Sequence, residues 1–142
     1  MADSRASAVW HGDLVSGEGT VTVDSGAFPT QPVTWKARTE RPDPKTSPEE
    51  LIAAAHAACY AMAFSHTLAE AGHTVTELRV SAVCHFTPGV GITTMSIDVS
   101  GSVPGLDQSE FERFAREGEA GCPVSGALRG NVEISLTATL AS

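Results

Sequence analysis

The stretch Ser47 to Gly72, SPEELIAAAHAACYAMAFSHTLAEAG, governs how the rest of this chain must fold. Ser47 is a good N-cap, Pro48 suits the first helical position, and Glu50 stands where a capping box needs it. From Pro48 to about Ala71 nearly every residue is a helix former, and Gly72 is a natural terminator. Apolar side chains occupy almost every side of the middle of this helix. A helix that is hydrophobic all round must be covered all round. A chain of 142 residues has little material for that task, so a second subunit is expected to help.

Before the helix, the chain reads as short β segments. Gly19 to Asp24 (GTVTVD) alternates β-branched with small or polar residues, the pattern of a half-buried strand. Val33 to Thr39 (VTWKART) reads as another, with Val33, Trp35 and Ala37 on one face and Lys36 and Arg38 on the other. Ser25-Gly26 and Pro29 to Pro32 mark turns, and two prolines make Arg41 to Ser47 a loop. After the helix, Glu77 to Phe86 and Ile92 to Val103 alternate again around a hairpin turn at Pro88-Gly89 and Gly91.

Leu106 to Ala120 is expected to be a surface helix with Phe111, Phe114 and Ala115 on its apolar stripe. Gly121 breaks it, Cys122-Pro123 opens a short helix to about Leu128, and Asn131 to Leu140 is a last strand. The order β-β-β-α-β-β-α-α-β is α+β, with antiparallel sheet expected. No internal linker divides it, so residues 1–142 are expected to form one domain.

Hydrophobic residues make up 42% and charged residues 18%, an ordinary globular composition. The net charge of -8, with no basic cluster, argues against nucleic acid or an anionic membrane as partner. Met1 to Ser7 lacks the apolar core of a secretory signal. Leu51 to Phe64 is short, alanine-rich and interrupted by His56. A cytoplasmic location is therefore expected. There three cysteines, none in a C-x-x-C pair, do not read as a structural disulfide framework.

Cys59 lies mid-helix, where the dipole does nothing for a thiol, and position alone favours a packing role. Activating it would take a cation from elsewhere. Arg38 could be that cation, and Glu49 could hold its guanidinium by a bidentate pair, although by composition and spacing alone solvation for the one and the helix dipole for the other are the more ordinary roles. Cys122 precedes Pro123 at the head of a new helix, where unpaired N–H groups favour a thiolate. Cys84 shares a strand face with Leu78, Val80 and Ala82, which points to core packing. Five histidines show no metal-binding spacing, and no glycine pattern suggests a nucleotide, so no metal or cofactor is expected. His56, one turn from Cys59, could serve as the base of a cysteine hydrolase. The small residues around Cys59 also suit a non-catalytic, apolar-ligand-binding stress protein.

Three segments carry a family resemblance. Ser47 to Cys59 (SPEELIAAAHAAC) closely resembles the first cysteine motif of the OsmC/Ohr proteins, which are osmotically inducible and organic hydroperoxide resistance proteins. Ala120 to Ser125 (AGCPVS) resembles the second, and Lys36-Ala37-Arg38 stands where that family has its arginine. The PEEL helix start and the PVS triplet are more similar to the OsmC branch. The resemblance implies an intertwined homodimer of antiparallel sheets wrapped around a long buried helix, with two sites at the subunit interface. It implies thiol peroxidase activity on organic hydroperoxides, and some on hydrogen peroxide. It makes Cys59 the peroxidatic thiolate and Cys122 the resolving thiol, with Arg38 stabilising the thiolate and Glu49 orienting Arg38. An external dithiol, in this family a lipoylated protein, would complete the cycle.

Overall fold

The computed structural model describes residues 2–40 and 44–142. The chain forms two compact units, Met1–Leu51 and Ile52–Ser142. In the first, strands β1 (Ala6–His11), β2 (Glu18–Val23) and β3 (Gln31–Val33) make an antiparallel sheet in that order. Pro32 is tolerated in β3 because that strand is an edge.

The strand expected over Val33 to Thr39 is not there. Beyond Val33 the chain turns into a short helix, α1 (Trp35–Thr39). Thr34 decides this locally: its backbone is extended and its hydroxyl accepts from the Ala37 amide at 3.1 Å, which makes it an N-cap. Five alternating residues carry little β signal, and Lys36, Ala37 and Arg38 are all helix formers. The change moves Arg38 to the side of Trp35, with its guanidinium carbon 5.4 Å from the indole centroid. Of the loop expected over Arg41 to Ser47, positions 41–43 lie outside the described residues. Thr46 bridges to Val33, and the Ser47 hydroxyl accepts from the Glu50 amide at 3.1 Å.

The long helix, α2, runs unbroken from Pro48 to Glu70. It closes as the glycine predicts: Gly72 takes φ +86°, its amide donates to the Ala69 carbonyl and that of His73 to Leu68. The second unit contains β4 (Glu77–Thr87), β5 (Gly91–Ser102), α3 (Gln108–Ala120), α4 (Pro123–Leu128) and β6 (Glu133–Leu140). β4 and β5 form the expected antiparallel hairpin. β6 pairs with β5 in parallel, which corrects the all-antiparallel expectation. Two helices lie between them, and such a crossover returns the chain to the end of the sheet from which β5 started.

His56, Tyr60, Phe64 and Leu68, spaced four apart, form the fully buried stripe of α2. The last three join Met95, Ile97 and Val99 of β5 and Phe111, Phe114 and Ala115 of α3 in one core. By length and mean hydropathy alone α2 could cross a bilayer, but this stripe is packed into the core. The opposite face is apolar and open in the single chain: Ala54, Ala55 and Ala58 are exposed and Met62 is 71% exposed.

Where α3 crosses α2, Gly118 is required. A Cβ there would lie 2.9 Å from the Cα and 3.1 Å from the Cβ of Phe64. Alanine would gain about 1 kcal/mol of helix propensity, but overpacking against backbone costs about 1–3 kcal/mol. Gly118→Ala should therefore unfold at lower urea concentration than the wild type, and an equal or higher midpoint would contradict the close approach.

Candidate active site

The site residues occur in two clusters, each internal to one unit. In the first unit Arg38 and Glu49 form the bidentate pair considered from the sequence. Arg38 Nε donates to Glu49 Oε1 at 3.0 Å and Nη2 to Oε2 at 2.9 Å. Glu49 is nearly buried, with 7% of its side chain exposed, and Arg38 keeps 28%. A fork this well matched fixes the guanidinium plane, which a lysine could not do.

In the second unit the two cysteines meet. Cys59 on α2 and Cys122 at the head of α4 are free cysteines, with their sulfurs 3.4 Å apart in an S–H···S contact. Cys122 is buried and Cys59 partly exposed. Cys122 is the N-cap of α4 by backbone geometry, yet its side chain makes no capping hydrogen bond. The amide of Val124, in the first turn of α4, is instead directed at the Cys59 sulfur. The favourable helix start expected for Cys122 thus serves the mid-helix cysteine.

Even so, the Cys59 thiol is pushed up, first by burial and further by the neighbouring Cys122 sulfur, with the Val124 amide opposing. Within its own unit, nothing offsets that burial with a positive charge. Cys84, on β4, packs against the core with Leu78, Val80 and Ala82. No group of three metal-ligating side chains occurs among the described residues.

Composition and spacing left one feature unread. His56 and Ser125, both fully buried, share a 2.7 Å hydrogen bond between Nε2 and Oγ. Among the described residues His56 Nδ1 has no hydrogen-bond partner. Through Nε2 the ring is committed to Ser125. A neutral hydrogen bond contributes about 0.5–1.5 kcal/mol, and an unpaired buried polar atom costs about 1–3 kcal/mol. The two effects oppose one another at this pair. Its neighbours in sequence, one turn from Cys59 and one turn from Cys122, were the available clue.

Burial lowers the His56 pKa, and the carboxylate of Glu119 opposes that shift. Between the ordinary histidine value and the lowered folded one, the unfolded chain binds a proton that the folded chain does not. The contribution is thus unfavourable on the acid side, and stability falls as pH drops below about 6.5. His56→Gln should flatten that fall in urea unfolding between about pH 7.5 and 5.5. Identical slopes for the two proteins would contradict it.

Two free thiols in contact, carried on an α+β frame with a long core helix, are what defines the site. The pattern of the family described as OsmC-like protein matches residues 41–137, and the chain belongs to that family. It is 39% identical to the peroxiredoxin OsmC of Escherichia coli, over 92% of each chain. It is 30% identical to an organic hydroperoxide resistance protein of Xanthomonas axonopodis pv. citri, over 65% of this chain and 66% of that one. Agreement along nearly the whole length with the former places it in the OsmC branch.

Among solved structures, an organic hydroperoxide resistance protein from Elizabethkingia anophelis superposes with a TM-score of 0.75. The match is 25% identical and covers 99% of this chain and 97% of that one. An OsmC-like protein from Mycoplasma pneumoniae, 17% identical and covering 99% of each chain, shares the fold with a TM-score of 0.76.

Proposed function

We propose that this protein is a cysteine-based peroxidase that reduces organic hydroperoxides, and hydrogen peroxide more weakly, as a cytoplasmic homodimer. The observation that carries the reading is the 3.4 Å separation of the Cys59 and Cys122 sulfurs. The names of the relatives, peroxiredoxin and organic hydroperoxide resistance protein, agree with a peroxide substrate. The Cys59 thiolate attacks one peroxide oxygen, the O–O bond breaks, and the alkoxide leaves and takes a proton to become the alcohol. Cys59 is now a sulfenic acid. The Cys122 thiol condenses with it, forming the disulfide and releasing water. A dithiol, such as a lipoylated protein, then takes up the oxidising equivalents by exchange and becomes a disulfide itself.

Burial keeps Cys59 protonated, so the cycle needs a cation beside it. Arg38 is assigned that role, with Glu49 orienting it. Because these two bridge one another within one chain, they act as a unit. Glu49 and Cys59 stand ten positions apart on α2, about 15 Å along its axis, which favours the pair serving the partner subunit's site. The open apolar face of α2 around Met62 supports the dimer.

The test is steady-state reduction of cumene hydroperoxide and hydrogen peroxide with dithiothreitol or dihydrolipoamide. Wild type should consume the organic peroxide faster. A protein that binds apolar ligands without chemistry would consume neither, and that result would overturn the reading.

A further inference from the structure

The cysteine pair is one of two rungs between the same two helices. On α2, His56 lies one turn before Cys59, and on the α4 side Ser125 lies one turn after Cys122. One rung is the 3.4 Å sulfur contact, the other the 2.7 Å His56–Ser125 hydrogen bond. We propose that His56 and Ser125 are positioning residues, a directional tie that holds the head of α4 against α2 so that Cys122 stays within closing distance of Cys59. This rests on the peroxidase reading for its purpose, though not for its geometry.

Three observations lead there. First, the pair is fully buried, yet one ring nitrogen has no hydrogen-bond partner among the described residues, an arrangement that packing alone would not select. Second, α4 has six residues and could not hold its direction by itself. Its far end is held by Leu128 packing and by Arg129, whose Nη2 donates to Glu119 Oε1 at 3.0 Å. At the cysteine end the Cys122 amide donates to the Glu119 carbonyl, Val124 packs on the core, and the His56–Ser125 tie is the side-chain hydrogen bond to α2. Third, the Val124 amide that meets the Cys59 sulfur sits between Cys122 and Ser125, so the tie governs that contact as well.

The step served is ring closure. The sulfurs must move from 3.4 Å to about 2.05 Å, with an S–S bond formed, the S–O bond of the sulfenic acid broken and water released. A misplacement of the order of 1 Å in such a step costs up to about a hundredfold. The same closure occurs without peroxide when oxidised dithiothreitol is the oxidant, through a mixed disulfide on Cys59 that Cys122 displaces.

The experiment measures the equilibrium constant of the Cys59–Cys122 disulfide against dithiothreitol, together with the rate of its closure. The proteins are wild type, Ser125→Ala, His56→Leu and His56→Gln, and thermal melts verify that each is folded. Ser125→Ala and His56→Leu should disfavour the disulfide about tenfold, raising its potential by about 30 mV, and slow closure by about tenfold or more. His56→Gln, which can present an amide to the Ser125 hydroxyl, should stay near wild type. Wild-type values in Ser125→Ala would overturn the proposal, as would equal losses in His56→Gln and His56→Leu. Absence of peroxide consumption by wild type would sink the peroxidase reading and leave this measurement standing.

Discussion

Cys59→Ser should reduce hydroperoxide turnover to background, a loss on the order of 10,000-fold, as expected when the nucleophile of a covalent mechanism is removed. Cys122→Ser should behave differently. Its Cys59 can still be oxidised once, so a burst of about one peroxide per site should precede the loss of steady-state turnover with a dithiol that depends on the Cys59–Cys122 disulfide. With no sulfur 3.4 Å away to condense with, the sulfenic acid persists and further peroxide drives it to the sulfinic acid. Mass spectrometry after a peroxide pulse would read two added oxygens on Cys59. Cys84→Ser should keep wild-type turnover, since Cys84 packs against the core from β4 and belongs to neither of the two helices that carry the pair. Similar rates for wild type and all three variants would end the assignment.

The second large effect concerns charge. Arg38→Ala should lower the rate of peroxide reduction by about 100- to 1,000-fold, the usual cost of removing one preorganised group from a developing charge. It also strands the Glu49 carboxylate, which is nearly buried, and breaking such a pair costs about 3–5 kcal/mol of stability. Arg38→Lys separates the two losses: it keeps the charge but not the fork, so stability should recover more than activity. The origin of the arginine can be read from mixed dimers carrying Glu49→Ala on one chain and Cys59→Ser on the other. If the Arg38–Glu49 unit serves the partner, the intact Cys59 meets the intact Glu49 and one site works. If it serves its own chain, every site lacks one residue and activity vanishes. Substituting Arg38→Ala for Glu49→Ala should give the same answer, because the two side chains are bridged.

Much of the chain from Ser47 onward was legible from local rules. The Ser47 cap, the Gly72 terminator, the alternation of β4 with Cys84 facing inward, and the Phe111, Phe114 and Ala115 stripe all stand as the residues indicate. Each depends on forces acting within one or two turns or along one pleat. The segment after Val33 misled because five alternating residues fit a strand and a capped helical turn about equally, and Thr34 tips the balance through a single hydrogen bond. The parallel placement of β6 escaped notice because sheet direction depends on where a crossover returns, which periodicity does not record.

The chain by itself therefore determined most of its elements, their caps and the apolar faces, and its two cysteine motifs carried the family resemblance. Tertiary structure alone decided the rest: that sulfurs 63 positions apart touch, that the amide at the head of α4 faces Cys59 rather than Cys122, and that His56 is tied to Ser125. The reason is physical. Capping and periodicity are set by neighbours in sequence, whereas a thiol's environment is set by whichever helices the core packs against it.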